Sequence, residues 1–428
     1  MTTDQKRRPL VAAAQVALLA VFCLVLTGPF DVPDPVRVGP AFSWTIVCLG
    51  LCVPVLMLEW LDGGWRRTAL DWPIGAYVAI VVVTGLTGVD PLHTLGWSLS
   101  LAGYVAVFLA AVCAVRRTPG FAPGLLLCLV PGPFLVLVLA TGYHAEVGLL
   151  TRPKLYPSPA GWFGYPEIAT LAVVLFALVV AAVQTARRPA PLISGLILAA
   201  LTLAELALLY ARGGWLAAAV VLAAAATIIA TRAQVARIAV AGAVLAVLAG
   251  TFVMKNQMLR QLAVGDPTPI NGYQLELATP KMRLDLWRRT GRMIADHAAT
   301  GVGLGNFQQV FESKYNPEIN IDGRRGVHAH NLWLQQFAET GVAGGAIYLG
   351  VWVLAVALAW RAARRQQSFA TAATFLVLTA LAASNVTTNM FYMQGLASGR
   401  LYSLAWMLFG LTAAQTETLR GPSQRRDA

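Results

Sequence analysis

The chain has 428 residues, of which 57% are hydrophobic and only 12% charged, and its net charge is +12. A soluble domain carries about 25% charged residues. Here runs of about 20 apolar residues, each long enough to cross a bilayer, recur from one end to the other. These features exclude a soluble globular protein. The positive charge divides between orientation signals and one basic outer region, and gives no reason to expect a nucleic-acid partner.

Twelve spans are predicted, at about 10–28, 41–58, 70–88, 97–115, 121–141, 162–183, 190–210, 214–231, 235–254, 342–360, 369–388 and 396–415. The first follows Lys6, Arg7 and Arg8, as a signal peptide would. It is long for a signal core and no small-residue cleavage site follows it cleanly, so it is read as an uncleaved first helix. Turns such as Thr118-Pro119-Gly120 separate the spans, and no internal repeat is present. All five cysteines (Cys23, Cys48, Cys52, Cys113, Cys128) lie in predicted spans, which excludes a disulfide framework or a cysteine zinc site.

Cationic residues choose the orientation. With the N-terminus inside, every inner segment carries at least two: Lys6, Arg7 and Arg8; Arg66 and Arg67; Arg116 and Arg117; Arg187 and Arg188; Arg232 and Arg237; Arg361, Arg364 and Arg365; Arg420, Arg425 and Arg426. The short outer loops 29–40, 89–96 and 385–395 hold one cation between them, Arg37. The expected architecture is an all-α polytopic membrane protein with about 12 transmembrane helices. Residues 1–254 form spans one to nine, 255–341 a large and mainly helical outer domain, and 342–428 spans ten to twelve with a short inner tail.

The outer stretch 255–327 carries ten cations: Lys255, Arg260, Lys281, Arg283, Arg288, Arg289, Arg292, Lys314, Arg324 and Arg325. A solvated helical face paired with Asp285, Asp296, Glu312, Glu318 and Asp322 accounts for any single one of them. The cluster as a whole points to an anion-binding role, because orientation does not require cations there. Residues 281–297 read as a helix with Met282, Leu286, Arg289 and Met293 on one side, opened by Thr279-Pro280. Gly301-Val302-Gly303-Leu304-Gly305-Asn306-Phe307 follows. No Lys-Ser/Thr follows it and no strand precedes it, so it is neither a P-loop nor a dinucleotide fingerprint. A compact turn that lets backbone pack closely is its expected use.

The stretch ends in His328-Ala329-His330-Asn331, and an amphipathic helix continues through Leu332, Leu334, Gln335, Phe337 and Ala338 to Gly341. His330 falls at the N-terminus of that helix, where the dipole disfavours an imidazolium and keeps the ring available as a general base. Capping the helix or bridging to lipid headgroups is the structural alternative. His328 is the rival base. The two histidines are half a zinc site, but no third ligand is close in sequence, and no metal or other cofactor is expected.

Two further groups lie earlier in the chain. Arg212 sits in the tight outer turn between spans seven and eight, where snorkelling to headgroups is the ordinary role. Glu205, two turns earlier on the same face, is an acid within a span and so a candidate to hold Arg212 in place. Arg152 and Lys154, before span six, could add charge at the mouth of a site or simply be solvated.

Three short patterns carry a resemblance. His330-Asn331, nine residues, then Gly341-Val342-Ala343-Gly344 has the His-Asn-x9-Gly-x-x-Gly form. Arg212-Gly213-Gly214-Trp215-Leu216 has the form Arg-x3-Leu at an outer helix end. Arg283-Leu284-Asp285-Leu286-Trp287 precedes the glycine-rich stretch. In order, and on one side of a twelve-span chain, they resemble the bacterial O-antigen ligases and the wider ligase and polymerase superfamily. The resemblance covers about 210–349; the first 200 residues match only in hydropathy.

The resemblance implies a GT-C-type polytopic glycosyltransferase of the bacterial inner membrane. Both termini would be cytoplasmic and the active site periplasmic. The glycan would pass from undecaprenyl diphosphate to the lipid A–core oligosaccharide, without a metal and with inversion, in lipopolysaccharide assembly. His330 would be the base and Arg212 and Arg283 would bind diphosphate. Arg288, about 140° round the helix from Arg283, and Arg289 are weaker candidates. Asn331 is placed with the substrate-binding residues, and Glu205 and His328 in supporting roles. Arginine suits diphosphate because its planar fork binds phosphate oxygens bidentately and stays charged. The nearest rivals are an O-antigen polymerase and a protein O-oligosaccharyltransferase, though the latter tend to carry a larger C-terminal outer domain. A lipid or glycan transporter is the rival from another class; related halves and several charges within the spans would mark it.

Overall fold

The computed structural model describes residues 12–23, 40–61, 67–147, 165–208, 212–228, 234, 235, 242, 280–315, 328–387 and 396–417. Their regular elements are all helices, with no strand among the described residues. In chain order the helices are α1 (Ala12–Cys23), α2 (Pro40–Leu61), α3 (Asp71–Thr87), α4 (Pro91–Arg117), α5 (Ala122–Cys128), α6 (Pro131–Val147), α7 (Tyr165–Thr185), α8 (Pro189–Leu208) and α9 (Arg212–Thr227). There follow α10 (Pro280–Asp296), α11 (Phe307–Val310) with a π turn at Phe311–Tyr315, α12 (Leu332–Gln366), α13 (Phe369–Thr387) and α14 (Leu396–Glu417). Six apolar stretches are long enough to cross a membrane, and shorter ones occur in α1, α2, α3 and α9. The protein is an all-α, multi-pass membrane protein. Every predicted span has a described helix on it except 235–254, nearly all of which lies outside the described residues.

The helix ends follow local chemistry. Asp90 caps α4, accepting from the His93 N–H at 3.0 Å, and Pro91 at the first helical position has no N–H to leave unsatisfied. Thr118-Pro119 ends it. α7 is buried along nearly its whole length between α8, α9 and α13. α4 lies between α2 and α14. Small residues permit this: a side chain at Gly410 would overlap the Phe108 carbonyl and Ala111, so glycine brings the backbone of α14 onto α4.

The two ends of the bundle differ in character. At one, both Nε and Nη2 of Arg116 meet the Glu417 carboxylate and Arg117 meets Glu59, which joins α4 to α14 and α2. Arg364 donates to the Thr227 carbonyl at 3.0 Å, tying α12 to α9. α4 is 27 residues long, so its N-terminus lies about 40 Å away. There a second apolar cluster of Met293, Val302, Phe307, Val310, Phe311, Ala329 and Ala338 binds α10 and α11 to the head of α12.

α12 is the element that joins cluster and bundle. It runs 35 residues but is kinked at Gly341, which has φ 70° and ψ 178°. A Cβ there would lie 2.9 Å from the Ala298 carbonyl oxygen. Gly341→Ala should therefore lower the unfolding midpoint in detergent, with a cost of about 1–3 kcal/mol from the backbone alone. Gly350→Ala, where a Cβ meets nothing within 4 Å, should leave it unchanged or raise it, by up to about 1 kcal/mol. Equal effects at the two positions would show that the kink carries no special constraint.

Candidate active site

The site is assembled on the glycine-rich turn. Gly301, Gly303 and Gly305 have φ of 66°, 92° and 88°, values that L side chains rarely adopt. The turn lies between two other backbones. Val302 N–H donates to the Ala338 carbonyl at 3.0 Å and Gly303 N–H to the Glu339 carbonyl at 2.9 Å. On its other side Val89 N–H donates to the Val302 carbonyl at 3.0 Å. Asn306 locks the arrangement, its amide donating to Val302 O at 3.0 Å and Thr94 Oγ1 at 3.1 Å. The close-packing turn expected from the glycines is what forms.

His328, Ala329 and His330 lie across the head of α12. Ala329 is fully buried in the outer cluster. Its carbonyl accepts from Trp287 Nε1 of α10 at 3.0 Å, and its N–H donates to Gln335 Oε1 at 3.3 Å. His330 has a left-handed backbone, φ 48°, which turns the chain into the helix. The helix cap is Asn331, whose Oδ1 accepts from Leu334 N–H at 3.1 Å. His330 thus precedes the cap rather than occupying the first turn. The two imidazole rings are 4.0 Å apart between centroids and tilted by 44°.

Electrostatics hold the His330 ring neutral. Its pKa is pushed from the ordinary 6.5 down to about 2, first by burial, then by His328 and by Arg283. The sequence reading assigned this effect to the helix dipole; the causes seen here are burial and the neighbouring His328 and Arg283.

The cations of the stretch divide into two kinds. Arg283 is half-buried and close enough to act on His330. Arg288 is exposed. Arg289 bonds to Asp285 at 2.9 Å and to the Tyr315 carbonyl at 3.1 Å, and Lys314 pairs with Asp296 at 3.0 Å. For these two the ordinary acid-partnered role applies. Arg212 begins α9, but its side chain lies outside the described part, as do Arg152, Lys154, residues 255–279, Arg324 and Arg325. Glu205 is buried and accepts from Thr141 Oγ1 at 3.1 Å, joining α8 to α6.

Buried charged groups that escaped the sequence reading include Glu339 and Arg400. Glu339 is fully buried in the α12 head, where Gln335 Nε2 donates to its Oε1 at 3.0 Å. An acid four residues after a glutamine, between the His-Asn pair and Gly341, was the available signal. Arg400 of α14 is also buried, its guanidinium 5.4 Å from the centroid of the Trp44 ring. An arginine inside a predicted span is a candidate by position alone. The buried face of this helix is also more polar than expected, although Leu332 and Ala338 are buried as the pattern predicts. Gln335, Gln336, Glu339 and Thr340 are buried, while Trp333, Leu334 and Phe337 are only partly so. Buried polar groups here pair across helices as well as along one, Tyr77 donating to Gln336 Oε1 at 2.6 Å. Beneath lies a cavity of about 30 Å³ lined by Tyr77, Tyr104, Gln336, Glu339 and Tyr402, among others, with room for about two waters.

A ring held this far below its ordinary value is a weak base unless a neighbouring negative charge offsets Arg283. It also makes a stability prediction. In the unfolded chain the ring titrates near 6.5, so the unfolded state takes up the proton first. His330 then has no influence on stability well above about pH 6.5, and lowers it below, by up to about 1.4 kcal/mol per pH unit. Between about pH 6.5 and 5 the wild-type unfolding midpoint should fall more steeply than that of His330→Gln. The ring-nitrogen NMR signals should remain those of a neutral imidazole at about pH 5, and an imidazolium there would contradict the electrostatics described.

No curated protein matches the chain. Residues 197–349 match the family model described as O-antigen ligase. That segment contains Glu205, Arg212, Arg283, the glycine turn, His328, His330 and the kink at Gly341. This match, over about a third of the chain, supports membership in the O-antigen ligase and polymerase superfamily.

Proposed function

We propose that the protein transfers a glycan from undecaprenyl diphosphate to the lipid A–core oligosaccharide, as an O-antigen ligase of the bacterial inner membrane. The observation that carries this reading is a histidine held neutral against Arg283 at the head of a membrane helix. In the proposed reaction His330 takes the proton of the attacking acceptor hydroxyl. The hydroxyl oxygen bonds to the anomeric carbon as the bond from that carbon to the diphosphate oxygen breaks. Displacement from the opposite face inverts the centre. Arg283, with Arg212 and the exposed Arg288, binds the diphosphate as it gains charge, work that a fixed cation array performs without a metal. Asn331 has its amide nitrogen left for substrate, since its oxygen caps the helix. Glu205 and His328 support the arginine and the base.

The orientation belongs to the same proposal: twelve spans, both termini cytoplasmic, and 255–341 as the periplasmic domain. It is supported by Arg116, Arg117 and Arg364, which gather at the end of the bundle away from His330. A superfamily match applies equally to a polymerase, which would use a second lipid-linked glycan as acceptor.

The binding of an anion also adjusts the base. Arg283 depresses His330, and a diphosphate beside it offsets that charge and raises the proton affinity of the ring. The acidic limb of kcat should therefore lie at higher pH than that of kcat/KM.

The direct test is transfer by purified protein in detergent, with undecaprenyl-diphosphate glycan and lipid A–core, with and without EDTA. An upshifted lipid A–core band should form, survive EDTA, and vanish in His330→Ala. Arg212→Ala and Arg283→Ala should reduce it severely, and lysine should only partly replace either. Lengthening of the glycan on its own lipid would make the protein a polymerase. Wild-type activity in all three variants would remove the site assignment, and absence of both products from the wild type would turn attention to transport.

A further inference from the structure

The Ala329 peptide, which sits between the two histidines, is gripped from both sides. Trp287 Nε1 holds its carbonyl at 3.0 Å and Gln335 Oε1 holds its N–H at 3.3 Å. The Gln335 side chain could present either end of its amide. Glu339 decides which, because a carboxylate only accepts hydrogen bonds and so takes the NH₂ group, at 3.0 Å. The amide oxygen is thereby turned toward Ala329. Gln335 and Glu339 are both fully buried, where a misoriented amide would leave buried polar groups unmatched. Glu339 is itself pinned, because its carbonyl accepts the Gly303 N–H at 2.9 Å. The next residue, His330, has φ 48°, a conformation that persists only where the surroundings over-determine it.

We propose that Trp287, Gln335 and Glu339 are positioning residues that fix the Ala329 peptide and, through it, the imidazole of His330 against Arg283. Glu339 acts by accepting a hydrogen bond, not by its charge. The consequence for the reaction rests on the reading of His330 as the base. The placement of the ring does not, so it is read separately.

Two measurements on the full-length protein distinguish the possibilities. The first is donor-dependent transfer kinetics. Gln335→Leu and Glu339→Ala should lower kcat about tenfold or more, with the donor KM within about twofold of wild type because the diphosphate ligands are untouched. Glu339→Gln should keep most activity, since its side-chain oxygen still accepts from Gln335. The second is ring-nitrogen NMR of protein labelled at its five histidines, with His330→Ala assigning the signal. The His330 titration should move up toward the ordinary value in Gln335→Leu and Glu339→Ala and stay low in Glu339→Gln. Trp287→Phe, which removes the indole N–H while keeping an aromatic ring, should shift it in the same direction and serves if the other variants do not fold. Wild-type titration in Trp287→Phe and Gln335→Leu would overturn the proposal. So would inactivation by Glu339→Gln with the His330 titration unchanged, which would make the carboxylate a charge. If the wild type transfers to neither acceptor, the functional reading fails, while the NMR arm still decides whether the chain positions His330.

Discussion

Where α12 bends at Gly341 its backbone ladder is interrupted, and neighbouring carbonyls need other donors. They find them in the glycine turn: Val302 N–H reaches Ala338 O at 3.0 Å and Gly303 N–H reaches Glu339 O at 2.9 Å. In return Val342 N–H donates to Ala298 O at 2.8 Å. Each bond contributes only about 1 kcal/mol net, but together they set one geometry. α12 is continuous across the kink, so this seam fixes α10, outside the apolar bundle, against a helix that runs through it. The outer cluster can then close over Ala329, and Arg283 comes near His330. Remove the seam and the two halves of the site have no fixed relation.

The site so formed is electrostatically one-sided. A half-buried imidazole faces a second imidazole and a guanidinium, and both neighbours, with the partial burial, act to keep it unprotonated. Such an arrangement is poorly matched to an empty site and well matched to an anion, which offsets the guanidinium. Preorganised cations avoid the reorganisation that water would require as charge develops on a leaving group. The polar side chains beneath serve a different end. Tyr77 bonds to Gln336, and Gln335 to Glu339, and these directional contacts define the head of α12 more sharply than apolar packing alone.

Much of this was legible in the residues. Apolar runs gave the helices, because the length needed to cross a bilayer is a property of sequence alone. The 281–297 pattern anticipated Pro280–Asp296 to within one residue at each end, since Pro280 is suited to a first helical turn and the Met293 face is periodic. Three positive-φ glycines in five residues could serve only a turn. The burial of Glu339 was not legible. Its partner Gln335 lies one turn away, but the depth of both depends on which face α12 turns inward, and Tyr77 of α3 is what makes a polar face acceptable there. Arg400 was visible as a charge within a span and was passed over; its stacking over Trp44 joins positions hundreds of residues apart.

By itself, then, the sequence determined the helical, multi-pass character of the protein, the glycine turn, and the short motifs that carry the resemblance to a superfamily. These depend on local periodicity, on backbone freedom and on residues close along the chain. The tertiary structure alone decided which cation stands beside His330, why that ring is neutral, and which side chains hold its peptide. Burial and Coulomb interactions depend on distances through space. Those distances are set by the kink in α12 and by the turn that packs into it, not by spacing along the chain.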